Sequence, residues 1–185
     1  GLDLYTQLLN EAVRELNAET GGNAAAEPPP AELPRIELPL NAQVPEDYVD
    51  HLPTRLAVYQ RLAKMTDSDG IPAIREELRD RFGPLPEEVE NLLNLADLRI
   101  LAADVGIESI VQGSDAIVLS LKVPVGGARV PLQRALGPSV QVGNNQMHMP
   151  LRRLGDEWLS RLTRVLERFS AFQENLQALA AQASG

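Results

Sequence analysis

A chain of 185 residues with 44% hydrophobic and 23% charged side chains can bury a core of its own, as one domain plus appendages rather than two full domains. Its net charge of -9 repels phosphate at long range, which argues against free nucleic acid or an anionic membrane as the main ligand and favours a basic partner surface. There is no cysteine, so disulfides, thiolate catalysis and cysteine-zinc sites are excluded.

The opening Gly1-Leu2-Asp3 already stands inside a pattern, which leads us to expect a fragment of a longer protein. Tyr5, Leu8, Leu9, Ala12, Val13 and Leu16 recur at helical spacing and predict an amphipathic helix from about Leu2 to Ala18. From Thr20 to Pro30 no period is visible, and Pro28-Pro29-Pro30 favours extended geometry, so residues 19–31 read as a tether. Ile36, Leu38 and Leu40 alternate, giving a short strand that Pro39 confines to a sheet edge or an irregular extension.

Leu52, Leu56, Tyr59 and Leu62 fall on one helical face, predicting a helix over Pro53 to Met65. The turn Thr66-Asp67-Ser68-Asp69-Gly70 is rich in capping oxygens. A second helix carries Ile71, Ile74, Leu78 and Phe82 and stops at Gly83-Pro84. Pro86 suits the start of a third, with Glu87 and Glu88 at the positive end of its dipole. Val89, Leu92, Leu93, Ala96, Ile100 and Ala103 form one stripe of that helix, and Leu95, Leu98, Leu101 and Val105 a second, so it is expected to be buried on two sides.

After Gly106 the period changes to two. Ile107 to Gln112 and Ala116 to Val123 flank Gly113-Ser114 as a hairpin, with Ile117, Leu119 and Leu121 facing one way. A short helix over Arg129 to Leu136 precedes a second hairpin, Ser139 to Val142 with Gln146 to Met149. The last segment steps Trp158, Leu162, Val165, Phe169, Phe172, Leu176 and Leu179 at heptad-like spacing, and either the sheet of the same domain or another helix could cover it. The expected fold class is α+β: helices packed on a small, mainly antiparallel sheet, with a long C-terminal helix.

Candidates for chemistry are few. No GxxxxGK[ST] loop is present, and Lys64 and Lys122 have no glycine beside them. His51 and His148 lie far apart without metal-ligand spacing, and a calcium loop counted from Asp67 meets Pro72 and Leu78 where glycine and glutamate belong. The reading is therefore of a chain without catalytic residues, metal or cofactor. Arg161, Arg164 and Arg168 share a flank of the last helix near Arg152-Arg153 and could touch phosphate, but Glu157 and Glu167 interleave with them, as on a solvated face. Glu77, Asp80 and Arg81 fall on one strip beside the apolar stripe of their helix, either as a solvated strip with an internal Glu77–Arg81 pair or as a face for a partner.

Several segments resemble the C-terminal domain of bacterial transcription-repair coupling factors. They are Gly1-Leu2-Asp3-Leu4-Tyr5, Leu8-Leu9-Asn10-Glu11-Ala12-Val13, Ile36-Glu37-Leu38, Val44-Pro45-Glu46-Asp47-Tyr48, Arg55 to Ala63, and Glu77 to Leu93 with Arg81-Phe82-Gly83-Pro84-Leu85-Pro86. The resemblance implies that residues 1–18 end a preceding motor domain, that 19–31 form a linker, and that 32–185 are a non-catalytic regulatory domain. It further implies docking on a UvrB-like N-terminal module of the same protein. Docking there would mask UvrA binding and restrain an ATP-driven DNA translocase until RNA polymerase is engaged. Glu77, Asp80 and Arg81 are the implied contacts to that module. No membrane and no direct DNA contact are expected, and the cytoplasm is the expected location.

Overall fold

The computed structural model describes residues 33–185, so the expected first helix and tether lie outside the described residues. The chain divides into two compact units, one holding Pro39–Ile100 and the other Leu33–Leu38 with Leu101–Gly185.

The first unit is helical. Helix α1 runs over Leu52–Lys64, α2 over Gly70–Phe82, and α3 begins at Glu87 and extends to Val105. Proline in the first turn of α1 sacrifices no helical hydrogen bond, because the first amides of a helix have no partner inside it. The covered face of α1 is Val58, Tyr59 and Leu62; Leu52 and Leu56, expected on that face, are 54% and 36% exposed. The start of α1 is fastened by polar contacts instead: Arg55 Nη1 donates to Val49 O at 2.7 Å and to Asp50 O at 3.1 Å.

Ile71, Ile74 and Leu78 of α2 are buried. Its expected stop is present: Gly83 adopts φ 89°, a left-handed value that side chains disfavour, and its amide donates to Arg79 O at 2.9 Å. In the preceding turn Asp67 Oδ1 accepts from Asp69 N at 3.0 Å, so that carboxylate orders the turn rather than capping α2. The first turn of α3 holds Glu87, Glu88 and Glu90, where the helix dipole favours anions. Leu92, Leu93, Leu95, Ala96 and Leu98 are all buried, which is burial on two sides. The segment before α1 is stitched to these helices. Val44 N donates to Tyr59 Oη at 2.8 Å, Gln43 N to Glu88 O at 3.2 Å, and Asn91 Nδ2 to Asn41 O at 3.1 Å.

The second unit is built on a five-stranded mixed sheet in the order β1-β2-β3-β5-β4. The strands are β1 Arg35–Glu37, β2 Ile107–Gln112, β3 Ala116–Leu121, β4 Gln141–Val142 and β5 Gln146–Pro150. The edge strand β1 pairs parallel to β2, and all other pairings are antiparallel. Both expected hairpins form, β2–β3 across Gly113-Ser114 and β4–β5 across Gly143-Asn144-Asn145. Alternation sorts the faces: Ile117, Leu119, Leu121, Met147 and Met149 are buried, while Val118, Ser120 and His148 on the other face are half-buried.

Helix α4, Arg129–Leu136, buries Leu132 and Leu136. Its Gln133 side chain accepts from Val142 N at 2.9 Å and donates to Val140 O at 2.9 Å, which locks α4 to β4. Helix α5, Trp158–Ala183, buries Leu162, Val165, Leu166 and Phe169. Gln173 Nε2 donates to Val105 O at 2.9 Å. Beyond that point the heptad-like stripe leaves the core, with Leu176 43% and Leu179 62% exposed. Among the described residues no helix is long and apolar enough to cross a membrane.

Candidate functional site

With Ile71, Ile74 and Leu78 turned into the first unit, the helical period carries Glu77, Asp80 and Arg81 onto the outer flank of α2. Asp80 and Arg81 are exposed and Glu77 is half-buried. The internal pair is present, with Arg81 Nη1 3.6 Å from Glu77 Oε1. A second cation is closer: Arg61 of α1 donates from Nη1 to Glu77 Oε2. Together they hold the Glu77 carboxyl below the usual carboxylate range, the hydrogen bond from Arg61 being the largest cause, opposed in part by burial. Asp80 makes no hydrogen bond or ion pair among the described residues.

The end of α2 is held firmly beneath this strip. The Arg81 guanidinium lies 4.9 Å from the centroid of the Phe82 ring, and Phe82 meets Tyr48 edge-on at 5.9 Å. Tyr48 Oη in turn donates toward Gly83 O at 2.9 Å and Leu78 O at 3.1 Å. On the neighbouring flanks Arg79 pairs with Glu76 at 2.8 Å, and Arg75 reaches Glu90 of α3 at 3.1 Å. The structure thus brings Glu77 and Arg81 together, sets an unpaired Asp80 beside them, and adds Arg61 and Tyr48. Sequence reasoning missed those two. Their only signals were that both stand in segments carrying the family resemblance and that Arg61 adjoins Leu62 of the apolar stripe.

Such a strip can recognise a polar protein surface. Among the described residues no cluster of three or more His, Asp or Glu side chains could hold a metal ion. His51 shares a 2.8 Å hydrogen bond between Nδ1 and Thr54 Oγ1 in the first turn of α1. Two of the three α5 arginines bond to backbone carbonyls: Arg161 Nη1 to Arg153 O at 2.8 Å and Arg168 Nη1 to Leu136 O at 3.5 Å.

Residues 38–125, which include the whole of this strip, match the family model described as TRCF domain. Residues 38–125 belong to the TRCF domain family. A transcription-repair-coupling factor of Myxococcus xanthus is 34% identical over 122 residues, which is 65% of this chain and 10% of that protein. One from Staphylococcus haemolyticus is 31% identical over 169 residues, which is 88% of this chain and 14% of that protein. The chain therefore spans about a tenth to a seventh of the length of the curated relatives it matches. A crystal structure of the C-terminal domain of a transcription-repair coupling factor superposes with a TM-score of 0.69 at 18% identity, covering 77% of this chain and 95% of that one. The TRCF domain here accordingly has the α+β fold of that C-terminal domain, as expected from the sequence.

Proposed function

We propose that this TRCF domain is the non-catalytic C-terminal regulatory domain of a transcription-repair coupling factor, and that it acts as a releasable latch in the cytoplasm. In this reading residues 1–18 close the preceding motor domain, 19–31 form the tether, and the α2 strip docks on a UvrB-like N-terminal module of the same protein. The docked state masks the surface that recruits UvrA and restrains the ATP-driven DNA translocase until RNA polymerase is engaged. What supports the docking face is the end of α2: Asp80 and Arg81 stand exposed on a helix terminus that Tyr48 and Phe82 immobilise. A rigid, solvated polar strip loses little conformational entropy when a partner reads it.

The energetics suit a reversible contact. Exposed ion pairs contribute about 0.2 to 1 kcal/mol each, so this strip binds weakly between separate molecules. Within one chain a tether supplies an effective concentration on the order of millimolar, which makes a weak face sufficient. The test is charge reversal of Asp80→Arg with Arg81→Asp, followed by calorimetric titration of this chain against the N-terminal module. Neither side chain is in the core, so the fold should persist, with the melt lowered only slightly by loss of the Arg81 contacts to Glu77 and Phe82, while affinity falls about tenfold, or about 1.4 kcal/mol. Equal affinities for the parent and the double variant would remove α2 from the interface.

A further inference from the structure

Beyond the residues matched by the TRCF model, Arg153, Arg161 and Arg168 meet around the turn after α4 in the second unit, with Arg152 next to Arg153 in the chain and Arg164 between the other two on α5. Arg161, Arg164 and Arg168 lie at spacings of three and four along one flank of α5. Arg153 Nη1 donates to Pro138 O at 3.0 Å and Arg168 Nη1 to Leu136 O at 3.5 Å, so both guanidiniums converge on the turn after α4. Arg161 joins them through its bond to Arg153 O at 2.8 Å. Each of these bonds ends on a neutral carbonyl, which orients the guanidinium without cancelling its charge. Among the described residues none of Arg152, Arg153, Arg161, Arg164 and Arg168 forms an ion pair, although Glu157 and Glu167 interleave with them in sequence. In the first unit Arg61, Arg75, Arg79 and Arg81 each have a carboxylate. Attraction to carbonyls at a helix end accounts for Arg168 on Leu136, but gives Arg152 and Arg164, both exposed, nothing to do.

We propose that this arginine surface binds the phosphate backbone of double-stranded DNA. The guanidinium fork matches phosphate oxygens two at a time. Arg161 to Arg168 spans about 10 Å of helix, or about three phosphate steps at roughly 3.4 Å each along one strand. Of the aromatic side chains near these arginines in sequence, Phe169 is buried and Trp158 and Phe172 are half-buried, so there is no exposed aromatic row of the kind single strands stack on. Contacts of this kind position a duplex without reading its sequence. The net charge of -9 does not forbid them, because residues 129–168 hold seven arginines against three acids. Beyond about 8 Å, physiological salt screens the acids elsewhere. This surface and the α2 strip belong to different units, so the two proposals stand or fall separately.

The test is fluorescence anisotropy of a labelled mixed-sequence duplex titrated with the whole chain at salt concentrations between about 50 and 200 mM. Binding is expected with a log-log salt slope of about -3 to -4, corresponding to about four phosphates. Replacing Arg152→Gln with Arg164→Gln should flatten that slope by about 2. The melting temperature should stay the same, since neither side chain is bonded to the fold, and the corresponding Arg→Lys pair should keep most of the binding. Absence of binding at the lowest salt, or an unchanged slope in the Gln variant, overturns the proposal. So does tighter binding of a polyglutamate peptide than of the duplex at equal salt, which would assign the surface to an acidic protein segment.

Discussion

The carboxylate of Glu77 sits between two guanidiniums, Arg61 in a direct hydrogen bond and Arg81 at 3.6 Å, and both favour its charged form. Because its pKa in the folded chain is lowered from 4.5, its stabilisation is complete above that ordinary value and is lost as pH falls through the folded one. Arg61→Ala removes the largest cause of the shift. An NMR titration of the Glu77 side-chain carboxyl should then move back toward the ordinary value. The loss of stability at neutral pH should be only about 0.2 to 1 kcal/mol, as for other exposed pairs, and should shrink as the pH falls through the folded pKa. An unmoved titration curve would mean that Arg61 does not hold this group. Half of the arrangement was legible in the sequence, since an acid and a base four residues apart on a helix are neighbours by geometry alone. Arg61 was not: it lies 16 residues from Glu77 on another helix, and only the packing of α1 against α2 brings them together.

Among the elements, α2 shows why helix ends were easier to read than helix faces. Gly83-Pro84 stops the helix through local backbone chemistry, and Gly83 at φ 89° has open space where a Cβ would stand. Gly83→Ala should therefore act through backbone strain alone, lowering stability in chemical denaturation by about 1 to 3 kcal/mol with helix content unchanged. A neutral effect would show that the turn can relax to another conformation. The face of α1 was misread because spacing identifies apolar residues without saying which of them something covers. Leu52 and Leu56 share a stripe with Tyr59 and Leu62, yet the buried face shifts toward Val58, and Tyr59 is fixed by accepting the Val44 amide. The strand β1 was legible as an edge strand, but its parallel partner was not, since the pairing of Arg35 with Ser109 is set by long-range topology. The same limit applied to the last helix, whose regular stripe is buried through Phe169 and exposed from Leu176 onward.

At the scale of the whole protein, a latch works only if it closes without locking. Taking residues 19–31 as the proposed tether, about twelve flexible residues reach roughly 20 Å and give an effective concentration on the order of millimolar. A strip that binds between molecules with a Kd of about 0.1 mM would then be closed about ten to one, or about 1.4 kcal/mol. That lies inside the range of about 1 to 3 kcal/mol typical of coupling between sites. Charge reversal at Asp80 and Arg81 in the full-length protein should abolish this bias and raise ATP hydrolysis in the absence of RNA polymerase by about fivefold, the closed and open forms then being equally populated. Doubling the tether costs closure only about 0.6 kcal/mol more, so it should raise the same rate by no more than about threefold. The two variants separate contact from restraint. If charge reversal weakens binding to the N-terminal module but leaves hydrolysis at its resting rate, α2 docks there without restraining the motor, and the regulatory half of the proposal fails while the interface stands.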